Sequence, residues 1–206
     1  MYKLFLDIET LPADEGSHDA LRFLHQKKKA KKKKECCEEQ GDFEQYLLGT
    51  SFDGSFGRIL CIGYAIDDNP AEYLCNDKDE AQMLREFWEI AQEANLLIGH
   101  NIIDFDMRFI YQRSIINNVL PSLDLTFARY RSSPMYDTMK EWVKWSMGNV
   151  GLEYLALALG VPSPKDGIDG SQVFEFYKKG KINEICEYCK RDVEATRAVY
   201  KRMTFQ

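Results

Sequence analysis

The sequence predicts an α/β protein in which a mixed β-sheet is covered by helices. Three strand-like segments follow one another near the start of the chain, and helices then alternate with further strand-like segments. Consecutive strands favour antiparallel pairing, whereas strands separated by helices favour parallel pairing, so the two patterns together indicate a mixed sheet. With 206 residues, no internal repeat and no clear boundary, the chain is expected to form one domain over residues 1–206.

The strand predictions rest on short apolar runs that are bounded by polar or turn-forming residues. The second and third runs are joined by Asp-Asp-Asn-Pro, a sequence typical of tight turns. The four predicted strands are Tyr2–Asp7, Arg58–Ile66, Ala71–Cys75 and Leu96–Gly99.

The helix predictions rest on capping patterns and on apolar residues that recur every three to four positions. Asp77–Glu80 has the arrangement of capping and acidic residues that begins a helix. The apolar residues that follow at helical spacing are Met83, Leu84, Phe87, Trp88 and Ala91. Further helices are predicted to begin near Phe105 and to cover Gly151–Leu159, Ser171–Lys178 and Ile182–Met203.

A polar segment separates the first two predicted strands. Its residues 27–34 contain seven lysines, although the whole chain has a formal net charge of −6. Because like charges at neighbouring helical positions disfavour order, residues 12–56 are predicted to form a helical or mobile insertion. The rest of the chain is strongly acidic, which argues against a general polyanion-binding surface.

The chain is predicted to be cytoplasmic. No apolar run approaches the roughly 18 residues that a membrane-spanning helix needs, and the amino terminus lacks the pattern of a secretory signal. Cys186 and Cys189 form a C-x-x-C pair, but the sequence offers no second pair at the spacing of a zinc site. Reduced thiols are therefore favoured over a cysteine-bound metal.

Two acidic segments follow predicted strands. Asp7 and Glu9 are two residues apart at the end of an extended segment, so their carboxylates project from the same face. Asp104 and Asp106 follow the strand that ends at Gly99. Each segment alone is also compatible with surface acids or a helix cap.

A third acidic position lies on the last predicted helix. Tyr188 and Asp192 are four residues apart there, so they lie on one face. A tyrosine beside an acid is by itself commonly an ordinary amphipathic pair. The residues predicted to bury the remainder of this helix are Ile185, Val193, Ala195 and Val199.

Taken together, these segments resemble the DEDD superfamily of 3′–5′ exonucleases, in the subclass marked by Y-x-x-x-D. Within this superfamily, the chain resembles stand-alone bacterial proteins related to the proofreading domain of family B DNA polymerases. The similarity extends over nearly the whole chain in the order of its motifs. These motifs are Phe5–Thr10, His100–Asp106, Tyr136–Thr138, Ile168–Val173 and Tyr188–Thr196.

The resemblance implies a ribonuclease-H-like fold with a five- to six-stranded mixed sheet and helices on both faces. It also implies hydrolysis of phosphodiester bonds from the 3′ end of nucleic acid, single-stranded DNA being favoured, with release of nucleoside 5′-monophosphates. Two Mg²⁺ or Mn²⁺ ions per site are expected, no organic cofactor and no membrane partner. The lysine-rich insertion departs from the family pattern, and a solvated face is favoured over a phosphate clamp.

The resemblance assigns the chemical roles to five residues. Asp7 would bridge two ions, Glu9 and Asp192 would complete the first site, and Asp106 would hold the second ion. Carboxylates suit Mg²⁺ and Mn²⁺ because both ions prefer oxygen ligands. Tyr188 would orient the attacking water, since an ordinary phenol has a pKa near 10 and is a poor base.

The residues expected to contact the substrate are less sharply defined by the motifs. By family analogy, the backbone near Thr10 and a wedge from Leu11 would meet the terminal nucleotide. Phe105 would stack near a base or belong to the core, and His100 and Asn101 would touch the strand or serve a structural role. Asp137, between the second and third motifs, is expected to support its neighbours.

Two other functions remain open at the level of the sequence. The first is a catalytically silent module that binds nucleic acid with the same fold, which the intact acidic set disfavours. The second is a metal-dependent phosphatase with Asp7 as nucleophile. Those enzymes typically carry Asp two residues after the nucleophile, whereas this chain has Glu9.

Overall fold

The computed structural model describes residues 1–33, 42–131, 133–163 and 169–206, the side chains of residues 31–33 excepted. Within these ranges the chain forms five strands and eight α-helices. The strands are β1 (Tyr2–Leu11), β2 (Arg58–Ile66), β3 (Glu72–Cys75), β4 (Ala94–Gly99) and β5 (Met135–Asp137). The helices are α1 (His18–Lys33), α2 (Phe43–Leu48), α3 (Glu80–Ala91), α4 (Asp106–Ile116), α5 (Thr138–Trp142), α6 (Leu152–Leu159), α7 (Val173–Lys178) and α8 (Ile182–Met203).

The five strands form one mixed sheet in the order β3-β2-β1-β4-β5. The first three strands pair antiparallel, whereas β4 and β5 run parallel to β1. This is the predicted α/β architecture. The short strand β5 and the helix α5 were not predicted, because three extended residues and five helical residues are too few to show a period.

Helices cover both faces of the sheet because the side chains of β1 alternate between two apolar clusters. Leu4, Leu6 and Ile8 pack with α3 and α4 on one face. Phe5 faces the other side, where it packs with Val193 of α8. The predicted burial of Ile185, Val193, Ala195 and Val199 is confirmed, since each is at most 3% exposed.

The polar segment after β1 contains helices α1 and α2. Of the two predicted alternatives, a helical or a mobile insertion, the backbone of residues 27–33 adopts the helical one. Helix α1 packs against the protein through its first half, where Leu21 is fully buried and the ring of His25 stacks on that of Tyr46 with 4.8 Å between the centroids. Lys34 and the segment Glu35–Glu39 lie outside the described residues. Across the described ranges, no helix is both long enough and apolar enough to cross a membrane.

Gly63 allows α8 to lie directly on the sheet. This residue pairs with Asp7 across β1 and β2. A Cβ atom at Gly63 would lie 2.8 Å from the Sγ of Cys189, 3.2 Å from the backbone oxygen of Cys189 and 3.1 Å from Cγ2 of Val193. The missing side chain therefore sets how closely α8 approaches Asp7.

We expect Gly63→Ala to lower the free energy of unfolding by about 1–3 kcal/mol, because the added methyl group overpacks this contact. Urea denaturation measures the change. Gly49→Ala is the matched control, since a Cβ there meets nothing within 4 Å and the backbone is already helical. Equal stability of the two variants would contradict this account of Gly63.

Candidate metal centre

Strand β1 presents Asp7 and Glu9 to the face of the sheet that α8 covers. The Oδ2 atom of Asp7 lies 3.5 Å from the Sγ of Cys189 on α8. Glu9 is 8% exposed, and Asp7 is partly buried. One carboxylate oxygen from each acid and the Cys189 sulfur all lie within 4.8 Å of one another. The alternation expected from the sequence thus brings the two acids together.

Asp106 reaches the site because β1 is longer than its neighbour. The pairing of β1 with β4 ends at Phe5 and Ile98, so the edge of β1 beyond Phe5 has no strand beside it. The chain turns after Gly99 and begins α4 at Asp106. There the Oδ1 atom of Asp106 accepts a hydrogen bond of 3.1 Å from the backbone N–H of Ile8. This contact places the carboxylate at the end of the sheet.

Helix α8 supplies Tyr188 and Asp192, each 8% exposed and one turn apart. The Tyr188 hydroxyl and the Asp192 carboxylate interact electrostatically and shift each other's pKa. The Oδ1 atom of Asp192 is buried and has no hydrogen-bond partner among the described residues. An unpartnered buried carboxylate oxygen is unfavourable, and a bound cation would satisfy it.

The four carboxyl groups perturb one another electrostatically. Burial, then Cys189 and the other three acids, raise the pKa of Asp7 well above its usual range. Burial and the charges of Asp192 and Asp106 do the same for the pKa of Glu9. Burial raises the pKa of Asp106 to about 7 and that of Asp192 to about 6, against hydrogen bonds that lower both. Like charges in a dry pocket favour a divalent cation.

The phenol of Tyr188 is protonated at neutral pH. Burial and the charges of Asp192 and Glu9 raise its pKa above the usual value of a tyrosine. A protonated hydroxyl donates a hydrogen bond but does not remove a proton from water. The geometry therefore suits an orienting role.

The oxygen donors fit a hard divalent ion such as Mg²⁺ or Mn²⁺. Cys189 is the near neighbour that sequence reasoning missed, because it lies beside Asp7 only when α8 packs on Gly63. Its sulfur is a soft ligand that matches Zn²⁺ better than Mg²⁺. Cys189 is a free thiol.

The sequence offered no second cysteine pair, but the sheet provides one in space. Cys61 and Cys75 pair across β2 and β3. Cys186 is close enough to both of these thiols for them to lower its pKa. All four described cysteines are free. Register between strands cannot be read from spacing along the chain, which is why this cluster was not predicted. Cys36 and Cys37 lie outside the described residues.

Two residues predicted to meet the substrate continue strand β1. The Thr10 hydroxyl donates a hydrogen bond of 2.6 Å to the backbone oxygen of Ser51. Leu11 is 1% exposed and packs with Ile185 and Val173 in the core. The expected wedge from Leu11 is wrong for this conformation, because strand β1 runs four residues beyond its predicted end and carries that side chain into the interior.

Three further candidates form the turn between β4 and α4. The ring nitrogens of His100 pair with the Thr138 hydroxyl at 2.9 Å and the Val150 oxygen at 2.8 Å. Asn101 has a left-handed backbone with φ of 65°. Phe105 is partly buried in the core. His100 and Phe105 thus make contacts within the protein, and the expectation that these three residues touch the strand stays a prediction.

Asp137 supports the same turn, as expected. Its carboxylate accepts hydrogen bonds from the backbone N–H groups of Asn101 and Ile103 at 3.1 and 3.2 Å. It also caps α5 through the N–H groups of Met139 and Lys140. Asp137 therefore fixes the path of the chain that leads to Asp106.

Comparison with known proteins gives one family and two relatives. Residues 71–206 match the family described as "predicted 3′-5′ exonuclease related to the exonuclease domain of PolB". The matched range includes Asp106, Tyr188 and Asp192, and it begins after β1. An uncharacterized protein of Methanocaldococcus jannaschii is 27% identical over 158 residues, which cover 70% of this chain and 84% of that relative.

Among solved structures, the family B DNA polymerase of the hyperthermophilic archaeon Pyrobaculum calidifontis is similar, with a TM-score of 0.66 and 15% identity. The match covers 99% of this chain and 24% of the polymerase chain, so the protein spans about a quarter of that relative. At this identity the likeness concerns the fold, which is the predicted ribonuclease-H-like one. With more than half of its residues matched, the chain belongs to the family of predicted 3′–5′ exonucleases related to the exonuclease domain of PolB.

Proposed function

We propose that residues 1–206 act as one metal-dependent 3′–5′ exonuclease domain, which releases nucleoside 5′-monophosphates from the 3′ end of a single strand. The observation that carries the proposal is the buried, unpartnered Oδ1 of Asp192 beside the carboxylates of Asp7, Glu9 and Asp106. Four carboxylates would repel a phosphodiester, so such a site needs cations before it can bind one.

Asp7 is the centre of the proposed site, because the other three acids all act on its carboxylate. It would bridge two ions, with Glu9 and Asp192 on the first and Asp106 on the second. When bound, a pair of Mg²⁺ or Mn²⁺ ions activates water and stabilises the departing oxygen. The protein itself supplies the dry pocket and holds Asp106 in place through the Ile8 N–H.

Tyr188 would orient the attacking water. Its hydroxyl lies against Asp192 and stays protonated, so it acts as a fixed hydrogen-bonding group beside the metal ligands. Thr10, His100, Asn101 and Phe105 would act as supporting residues near these acids in this proposal. Their role is to hold the pocket walls, since the contacts that fix three of them lie within the protein.

The proposal is tested by digestion of 3′-labelled and 5′-labelled DNA and RNA with Mg²⁺ or Mn²⁺. We expect immediate release of a labelled mononucleotide from the 3′-labelled strand and gradual shortening of the 5′-labelled strand. Asp7→Ala should reduce the rate roughly 10²- to 10³-fold, because it removes the shared ligand. Asp68→Ala is the matched control, since that exposed acid forms a surface ion pair with Lys201.

Inorganic phosphate as the product would contradict the proposal and indicate a phosphatase. Binding of the strand without hydrolysis under any metal would indicate a silent binding module.

Removing the hydroxyl of Tyr188 separates catalysis from metal binding. We expect Tyr188→Phe to lower kcat about tenfold to hundredfold, because the attacking water loses an orienting partner. Mn²⁺ should still raise the Tm of this variant, as in the wild type, because binding to the folded state stabilises it. Asp7→Ala should abolish that rise. A Tyr188→Phe enzyme with unchanged kcat would exclude the orienting role.

Asp106 makes stability depend on pH when metal is absent. Because its folded pKa is raised to about 7, the folded protein keeps a proton that the unfolded chain loses near pH 4. Its contribution to stability is complete below pH 4 and is lost as the pH rises through 7. In EDTA, Asp106→Asn should therefore gain roughly 3 kcal/mol over wild type between pH 4.5 and pH 8, as measured by urea unfolding. The same difference at both pH values would contradict this.

A further inference from the structure

A cavity opens at the end of the sheet where the four carboxylates lie. The parallel strands β1, β4 and β5 have their carboxyl-terminal ends there, which is where open α/β sheets bind their ligands. The cavity has a volume of about 370 Å³ and is lined by residues that follow β4, by residues of the connection between α4 and β5, and by residues that follow β5. Two of these residues, Asp104 and Arg108, lie two positions to either side of Asp106. The cavity therefore shares with the candidate metal centre the chain segment that contains Asp106.

The cavity is positively charged, in contrast to the chain as a whole. It is lined by three cations, Arg108, Arg129 and Lys140, and by one acid, Asp104. Asp104 lies 2.7 Å from Lys140 and 3.9 Å from Arg108. Arg129 has no hydrogen bond or ion pair with any described residue. In a chain with a net charge of −6, this local excess of cations fits an anionic ligand such as a phosphodiester.

Aromatic side chains are interleaved with these cations. Tyr130 is 72% exposed, and its ring centroid lies 5.4 Å from that of Trp145. The guanidinium of Arg108 lies 5.3 Å from the ring centroid of Phe127. Exposed aromatic faces beside cations are the features on which unpaired bases stack.

The backbone holds the two aromatic residues in place at a conformational cost. Tyr130 and Trp145 have φ angles of 64° and 62°, which are uncommon for bulky residues. The backbone N–H of Trp145 donates a hydrogen bond of 3.0 Å to the backbone oxygen of Lys140, and its indole N–H donates one of 3.2 Å to the Glu141 carboxylate. His100 anchors the end of the same loop through Val150. Strained residues of this kind cluster at ligand sites.

We propose that this cavity binds the unpaired nucleotide on the 5′ side of the bond that is cut. The base stacks on Tyr130 and Trp145, and Arg129 with Arg108 binds a phosphate. The inference rests on the proposed exonuclease function, which places the 3′-terminal nucleotide at the carboxylates and sends the remaining strand toward this cavity. Bases in a duplex are paired and stacked, so the cavity selects a single strand.

The test measures binding of a fluorescent single-stranded oligonucleotide by anisotropy with Ca²⁺, alongside hydrolysis with Mn²⁺. Tyr130→Ala should raise Kd about tenfold, the usual loss for one base–aromatic stack. Tyr154→Ala is the matched control, because Tyr154 is 70% exposed on α6, away from the cavity, and it should leave Kd unchanged.

Arg129→Gln should reduce the slope of log affinity against log salt by roughly 0.7, as for one lost phosphate contact. Arg85→Gln, at an exposed position of α3, is its control. Both cavity variants should raise KM and leave kcat and the Mn²⁺-induced rise in Tm unchanged. A blunt duplex should bind the wild type and Tyr130→Ala equally.

Different results would contradict the cavity proposal and the exonuclease proposal. If the wild type hydrolyses the strand and both cavity variants bind it as tightly as wild type does, the cavity proposal is overturned and the exonuclease function stands. If the wild type neither binds nor cleaves a single strand, both are overturned.

Discussion

The site depends on one geometric constraint, which is that β1 continues past the end of β4. The extra residues of β1 carry Asp7 and Glu9 and leave the Ile8 N–H without a strand partner. Asp106 accepts that hydrogen bond and so couples the start of α4 to the end of β1. Because an unpaired buried N–H is costly, the backbone itself fixes the second acidic segment beside the first. Asp137 strengthens the arrangement by holding the connecting turn through the Asn101 and Ile103 N–H groups.

The same clustering of acids lowers the stability of the metal-free protein and creates the candidate metal site. Burial and the neighbouring acids raise the pKa values of Asp7, Glu9 and Asp106, which means that the folded protein without metal is less stable near neutral pH than it would be with uncharged side chains. In the proposed function, a divalent cation would remove this repulsion and provide the charge that attracts a phosphodiester. The acidic surroundings would then act as a metal site first and as a nucleic-acid site second. This order would reconcile the net charge of −6 with membership of a family of predicted exonucleases.

Some site residues are indicated by the sequence immediately around them, whereas others are brought to the site only by folding. Strand alternation indicated that Asp7 and Glu9 share a face, and helical spacing indicated the same for Tyr188 and Asp192. Only the resemblance to the exonuclease family connected these pairs into one candidate site. Leu11 was misjudged because its role depended on where β1 ends, and the strand extends into the core. Cys189 and the pairing of Cys61 with Cys75 had no signal in the sequence, because both depend on register and on the close approach of α8 at Gly63. The cavity beside Asp104 was missed for the same reason, since Tyr130 and Trp145 meet only after folding.

The sequence by itself determined the α/β class, the order of the long elements and the acids that belong to the candidate site. Apolar periodicity and motif spacing are properties of neighbouring residues, so they survive without coordinates. Only the tertiary structure decided which side chains share a pocket, which acids lack a partner and which pKa values are raised. Those properties arise from desolvation and from contacts between residues such as Ile8 and Asp106, which lie 98 positions apart in the chain. A pattern of neighbouring residues carries no information on the distance between two residues so far apart in the chain.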